Sequence, residues 1–285
     1  IVIVYRCFLS IKRFYKKVVA KLSKDSLTVG TDESENQYII SRSQHGLSRK
    51  CISENALKVL YRLKKSGYSA YLVGGGVRDL LMQMPSKDFD VATDATPEQL
   101  RDLFVNSRII GRRFRIVHVM FRGEIIEVST FRAEVQQLDE PSSDDFETEN
   151  VFGNLQEDAW RRDFTVNALY YNIDDFSIVD YTGGWADMNQ RKLRFIGDAF
   201  QRAEQDPVRL LRALRFAAKL NLEIDNELQL VLNNEDGLVL NISPPRLLYE
   251  FEKIFCTGYA LPTFNKLIEF GYLQYFLSPE WYSAC

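Results

Sequence analysis

The sequence predicts an α+β fold, a mixed sheet with helices followed by an all-helical half. Three observations carry that expectation. The apolar run Tyr71-Leu72-Val73 enters Gly74-Gly75-Gly76 and leaves through Val77-Arg78-Asp79 into Leu80-Leu81-Met82, which reads as a strand, a tight turn and a helix start. Phe89 to Ala92, 116–121 and 125–131 are short strand-like runs, the last two joined by Arg122-Gly123 as a hairpin. Beyond Gly197 only helical signals remain.

Taken in order, residues 1–24 mix apolar side chains with seven basic ones. A solvated extension is the reading adopted, over an amphipathic helix touching membrane or RNA. Residues 25–44 turn polar and read as linker. Ser53 caps a helix carrying Ala56, Leu57, Leu60 and Leu63 on one face, ended by Gly67. Thr96-Pro97 starts a second helix that runs to about Val105. Arg108, Arg112, Arg113 and Arg115 surround Phe114, as a solvated basic loop or a contact for an RNA end. His118 is expected to pack on the hairpin. Residues 133–150 hold seven acidic side chains and no basic ones, an acidic loop that would repel RNA. Residues 157–169 are expected to be helical, and Gly183-Gly184 to mark a domain boundary. Asp206-Pro207 opens a helix with Arg209, Arg212 and Arg215 on one broad face, by default a solvated one.

Composition narrows the functions. Net charge is −3, so any nucleic-acid contact must be local. Four scattered cysteines without a Cys-x-x-Cys, and only two histidines, speak against a zinc site or a disulfide framework and fit a reducing cytoplasm. No run is long enough to span a bilayer. The Ile start and the abrupt end after Cys285 read as a truncated product.

Backbone N–H groups at a strand–Gly–helix junction suit phosphate. With Phe89 and Val91 pointing inward, Asp88 and Asp90 share the other strand face, their Cα atoms about 6.6 Å apart. Carboxylates that close repel unless a cation lies between them, and paired metals clamped this way serve in-line nucleotidyl transfer. Glu127, alternating with Ile126 and Val128, can reach the same metal. Alone, each feature is an ordinary turn, strand face or surface charge.

Together, Leu72-Val73-Gly74-Gly75-Gly76-Val77-Arg78-Asp79 and Asp88-Phe89-Asp90 resemble the signature of the class II polymerase-β-type nucleotidyltransferases, the bacterial poly(A) polymerases and CCA-adding enzymes. The likeness runs from about Ser48 to the end. It implies a basic extension and linker (1–47), a polymerase-β-like nucleotidyltransferase head (48–182) and a helical neck (183–285) whose RNA-gripping tail is almost entirely missing. It implies Glu127, within Glu-Val-x-Thr-Phe-Arg, as third carboxylate beside Asp88 and Asp90 around two Mg²⁺, which Mn²⁺ can replace. Arg162, Asp163 and Asn167, within Arg-Arg-Asp-Phe-Thr-x-Asn-Ala, would serve the triphosphate and ribose, with Asp163 added to the catalytic set. Gly74, Gly75 and Arg78 would cradle ATP. Asp206 and Arg209 would read the base, and Arg212 and Arg215 would face the triphosphate. Gln205 stands where the family has Glu, which puts nucleotide choice in doubt. Apart from the resemblance, Arg112, Arg113 and Arg115 of the basic loop are the expected RNA contacts, with a solvated loop as the alternative.

The wording of 53–81 and 111–119 resembles the poly(A) branch, so template-independent addition of AMP to RNA 3′ ends, promoting RNA decay in the cytoplasm, is the first expectation. CCA addition to tRNA is the second, and a non-catalytic RNA-binding remnant the third. RNA and ATP are the expected partners, with room for RNA-decay or RNA-chaperone proteins; membrane contact is not favoured.

Overall fold

The computed structural model describes residues 37–111, 115–133, 151–256 and 258–276. The basic segment 1–24, Arg112, Arg113 and residues 134–150 of the acidic loop lie outside the described residues.

Among the described residues eight strands form one mixed sheet. Its order is β1 (Tyr38–Ile40), β8 (Ile178–Asp180), β7 (Leu169–Asn172), β2 (Ala70–Val73), β3 (Asp90–Thr93), β6 (Glu124–Thr130), β5 (Ile116–Phe121) and β4 (Ser107–Ile110). Neighbours are antiparallel except β3 and β6, which run parallel in register with Asp90 opposite Glu127. A parallel pair needs a crossover, and helix α3 (Pro97–Leu103) with strands β4 and β5 supplies it.

Alternation along these strands divides the sheet. Leu72, Val91, Val117 and Val128 lie in the main core with Val59, Leu60 and Leu63 of helix α1 (Glu54–Lys65). Val73, Ala92 and Tyr170, from the opposite pleats, join a smaller cluster. The Ser53 hydroxyl accepts from the N–H groups of Asn55 and Ala56, a cap that contributes about 1 kcal/mol. Thr96 and Gln99 make a reciprocal capping box at α3.

The short helices α2 (Gly75–Leu81), α4 (Leu155–Trp160), α5 (Gly184–Asn189) and α6 (Ala199–Gln205) precede α7 (Val208–Leu220). Then come α8 (Asn226–Asn234), α9 (Pro244–Cys256) and α10 (Ala260–Glu269), with the short pair β9 (Lys192–Leu193) and β10 (Glu223–Ile224) beside them. Leu210, Leu211, Leu214 and Ala217 of α7 share one core with the strands. The described residues from 37 onward form one compact unit.

Four expectations change. Residues 38–40, assigned to the linker, pair with β8 as an edge strand. The second strand starts at Asp90 rather than Phe89. The helix expected over 157–169 stops at Trp160. Phe164 bridges Phe195, Thr165 N–H donates to the Arg194 carbonyl, and Asp163 Oδ1 accepts from Phe164 N–H, so tertiary and local bonds replace the helical ladder. Residues 165–167 make a single 3₁₀ turn before β7. The Gly183-Gly184 linker, finally, is clamped. Asp180 accepts from the backbone N–H of Thr182, Gly183, Gly184 and Trp185, at 2.9 to 3.1 Å. A Cβ on Gly184 would lie 2.1 Å from the Thr165 carbonyl oxygen, so only glycine permits this approach.

Candidate active site

The glycine turn leaves β2 at Gly74, whose φ of 74° lies in the region glycine tolerates best. A Cβ there would sit 3.6 Å from Arg162 Nη1 and 3.7 Å from Asp90 Oδ2. One backbone position therefore lies beside both a predicted metal ligand and a predicted phosphate ligand. A Cβ on Gly76 would fall 2.8 Å from the Asp88 carbonyl oxygen, so the first turn of α2 packs directly on the chain entering β3.

Asp90, Val73 and Glu127 are neighbours across three strands. Phe89 and Val91 are buried while Asp88 is exposed and Asp90 half-buried, as the alternation predicts. Burial, and then the charge of Glu127, push the Asp90 carboxyl up to about 6, with Arg162 opposing and Asp88 adding to the rise. Three acidic side chains thus crowd the entry to β3, at the edge where the chain joins the sheet beside Glu127 of β6. All donors are carboxylate oxygens, the set a hard divalent ion takes. The residues fit such an ion by type and placement, although among the described residues no three are gathered into a ready-made cage. His118, expected to pack on the hairpin, does so opposite Glu127, its Nε2 3.4 Å from Glu127 Oε1.

A second group lies beside it. Asp158 is fully buried and accepts from Arg161, from Arg162 Nη2 at 3.0 Å and from the Tyr170 hydroxyl at 2.7 Å. Burial alone would raise the Asp158 carboxyl, but Arg162, Arg161 and Tyr170 outweigh it and hold it below its ordinary value. Asp163 accepts from Asn167 Nδ2 at 3.0 Å and from Arg212 Nε at 2.9 Å. Burial opposes that charge too, yet Arg212 and the hydrogen bonds keep the carboxyl low. Arg78 is 3% exposed and donates to Asp79 and Asn167. The chain Arg78–Asn167–Asp163–Arg212 therefore links α2, the 3₁₀ turn and α7. The guanidinium carbons of Arg78, Arg212 and Arg215 lie 5.0, 5.4 and 4.6 Å from the Phe216 ring centre, within cation–π range.

A cleft of about 420 Å³ opens between the turn after α4, α7 and α9. It brings together five predicted residues: Arg162, Asp163, Asp206, Arg209 and Arg212. Arg215 is not on its wall; it is buried against Glu250, 3.3 Å away. Steps of three residues drift about 60° each around a helix, so the third arginine has turned into the core. Gln205 Oε1 accepts from Arg209 Nη1 at 3.2 Å and from Arg202 Nη1 at 3.3 Å, so the neutral side chain still holds Arg209. Arg115, half-buried, is ion-paired with Glu98.

Sequence reasoning missed Arg161, Arg246, Tyr249 and Glu250 on the cleft wall, and Arg202 behind it. Arg202 donates to the carbonyls of Trp160, Arg161 and Arg162, closing the C-terminal end of α4. The spacing Arg246, Tyr249, Glu250, a single helix face in α9, was the available signal.

Known proteins share this arrangement. Residues 70–194 match the poly A polymerase head domain family, and residues 221–285 the family described as "Probable RNA and SrmB- binding site of polymerase A". Poly(A) polymerase I of Salmonella typhi is 47% identical over 274 residues, which cover 94% of this chain and 58% of that protein. The CCA-adding enzyme of Bacillus licheniformis is 38% identical over 201 residues, 70% of this chain and 49% of that one. The chain thus spans about half the length of the curated relatives it matches. Among solved structures, the Bacillus stearothermophilus CCA-adding enzyme in complex with CTP superposes with a TM-score of 0.66 at 32% identity, covering 76% of this chain and 52% of that one. An apo tRNA-processing enzyme gives 0.65 at 26%, covering 80% and 60%. With its glycine turn, carboxylate edge and arginine cleft in this order on this fold, the chain belongs to the family of poly(A) polymerases and CCA-adding nucleotidyltransferases.

Proposed function

We propose that the chain is the catalytic part of a template-independent polynucleotide adenylyltransferase, transferring AMP from ATP to RNA 3′ ends. The observation that carries this reading is Asp90 and Glu127 side by side on parallel strands, with Gly74 joining Asp90 to Arg162 at the mouth of the arginine cleft. The N–H groups of Gly74 to Gly76 and the guanidinium of Arg162 receive the triphosphate. Asp163 and Asn167 brace the ribose side, and Asp206 and Arg209 offer acceptor and donors to the base edge. Asp88, Asp90 and Glu127 would hold divalent ions, Mg²⁺ by preference, which when bound stabilise charge developing on the phosphates and activate the RNA hydroxyl. The scattered cysteines and an RNA substrate favour a cytoplasmic site of action, with RNA decay as its consequence.

The likeness to poly(A) polymerase I over 94% of the chain favours adenylation. The superposition on CCA-adding enzymes keeps CCA addition as the second reading. Purified protein with Mg²⁺ and ATP or CTP, offered a generic RNA primer or a tRNA lacking its 3′ end, separates them. Long A tails on the generic primer are expected. Growth of tRNA that stops after C, C and A would replace the first reading with the second, and no extension with Mg²⁺ or Mn²⁺ would remove both.

A further inference from the structure

We infer that Tyr249 of α9 is the stacking residue that makes the cleft prefer a purine, a deepening that rests on the nucleotidyltransferase reading above. A base edge read by one carboxylate and one guanidinium cannot by itself separate adenine from cytosine. Both bases present an exocyclic amino donor beside a ring-nitrogen acceptor. Asp206 and Arg209 would therefore reject guanine and uracil while accepting both amino bases. Discrimination between those two must come from size and from the face of the ring.

One face of α9 is built for that. Arg246, Tyr249, Glu250 and Lys253 recur at helical spacing, so they lie together. Each reaches the same neighbourhood. Arg246 Nη2 donates to Asp206 Oδ2 at 2.9 Å. Glu250 faces Arg212 and Arg215 at 3.8 and 3.3 Å. Lys253 Nζ stands 4.1 Å from the centre of the Tyr249 ring. Tyr249 is 56% exposed, yet it lines the cleft with Asp206 and Arg209. An exposed aromatic ring that contacts a cation and shares the cleft wall with the two edge-reading residues is suited to be a base platform. The double ring of adenine covers more of it than the single ring of cytosine. Arg246, one turn earlier, fixes the Asp206 carboxylate at the platform's edge.

Calorimetric titration of wild type, Tyr249→Ala and Tyr249→Phe with ATP and with CTP tests this without catalysis. Tyr249→Ala is expected to weaken ATP about tenfold and CTP by less, so the ATP-to-CTP affinity ratio falls by about threefold or more. Tyr249→Phe keeps the ratio, because the ring and not the hydroxyl does the stacking. Thermal melting of each variant reports folding, which an exposed side chain should leave unchanged. An unchanged ratio in a folded Tyr249→Ala overturns the inference, as does an equal loss for both nucleotides. If the nucleotides bind with the expected pattern but no primer is extended, the transfer reading fails while the platform stands.

Discussion

The carboxylate edge and the arginine cleft sit side by side and treat acidic residues in opposite ways. At the edge, Asp88, Asp90 and Glu127 crowd one another, and the Asp90 carboxyl is pushed up to about 6 by burial and by Glu127. On and behind the cleft wall, Asp163 and Asp158 are also withdrawn from solvent, yet their carboxyls are held low, because each is wrapped by arginine and hydrogen-bond donors. Burial is common to both; the partner decides the sign. The edge gathers like charges, which a bound cation would relieve. The cleft is finished in advance, its geometry set by the protein's own ion pairs and hydrogen bonds.

Removing one charge from each region should therefore act in opposite directions. Asp90→Asn is expected to cut primer extension by about a thousandfold or more, given several kcal/mol of metal-supplied stabilisation, while ATP still binds. The same variant should melt at a higher temperature in metal-free buffer, since a repulsion is gone. Retained extension would refute the metal assignment. Asp158→Ala should instead destabilise by about 3–5 kcal/mol in urea, because Arg161, Arg162 and Tyr170 lose a shared buried partner. A loss below about 1 kcal/mol would mean water replaces the carboxylate.

Acid should expose the same contrast more gently. Asp158 and Asp163 have folded-state values below the ordinary one, so the unfolded chain takes up their protons first as pH falls. Their contribution is complete above about pH 5 and drains away below about pH 4. Urea midpoints measured from pH 7 to pH 3 should fall more steeply for wild type than for Asp158→Asn. The smallest effect belongs to Gln205→Glu. A carboxylate there would strengthen bonds that Gln205 already makes with Arg202 and Arg209, and the ATP-to-CTP ratio in extension should rise about twofold. An unchanged ratio would leave Gln205 a simple acceptor.

Much of the edge was legible before any coordinates. Three glycines after an apolar run, then Asp-x-Asp, are local signals, and Glu127 lies within a strand whose alternation is plain. The sheet and the helical second half followed from the same periodicities. The cleft was legible only through resemblance. Arg162 and Asp163 lie on a turn that looked helical, since the contacts ending the helix come from Arg194 and Phe195 about thirty residues on. Arg202 and Arg246 meet their partners across about forty residues, and no spacing announces such a meeting. Tyr38 to Ile40 is an apolar run of only three residues inside a polar stretch, too short to announce a strand before its partner β8 is known.

The Asp180 clamp bears on how substrate gets in. Flexing the chain at Gly183-Gly184 would strip four amides from one carboxylate and pull Gly184 off the Thr165 carbonyl. A swinging gate at this corner is thereby disfavoured, and on the proposed reading ATP would meet a wall already in place, entering past the exposed side chains of Arg246 and Tyr249. Slow hydrogen exchange at the Gly183 and Gly184 amides, unchanged when ATP is added, would be the mark of such a fixed corner.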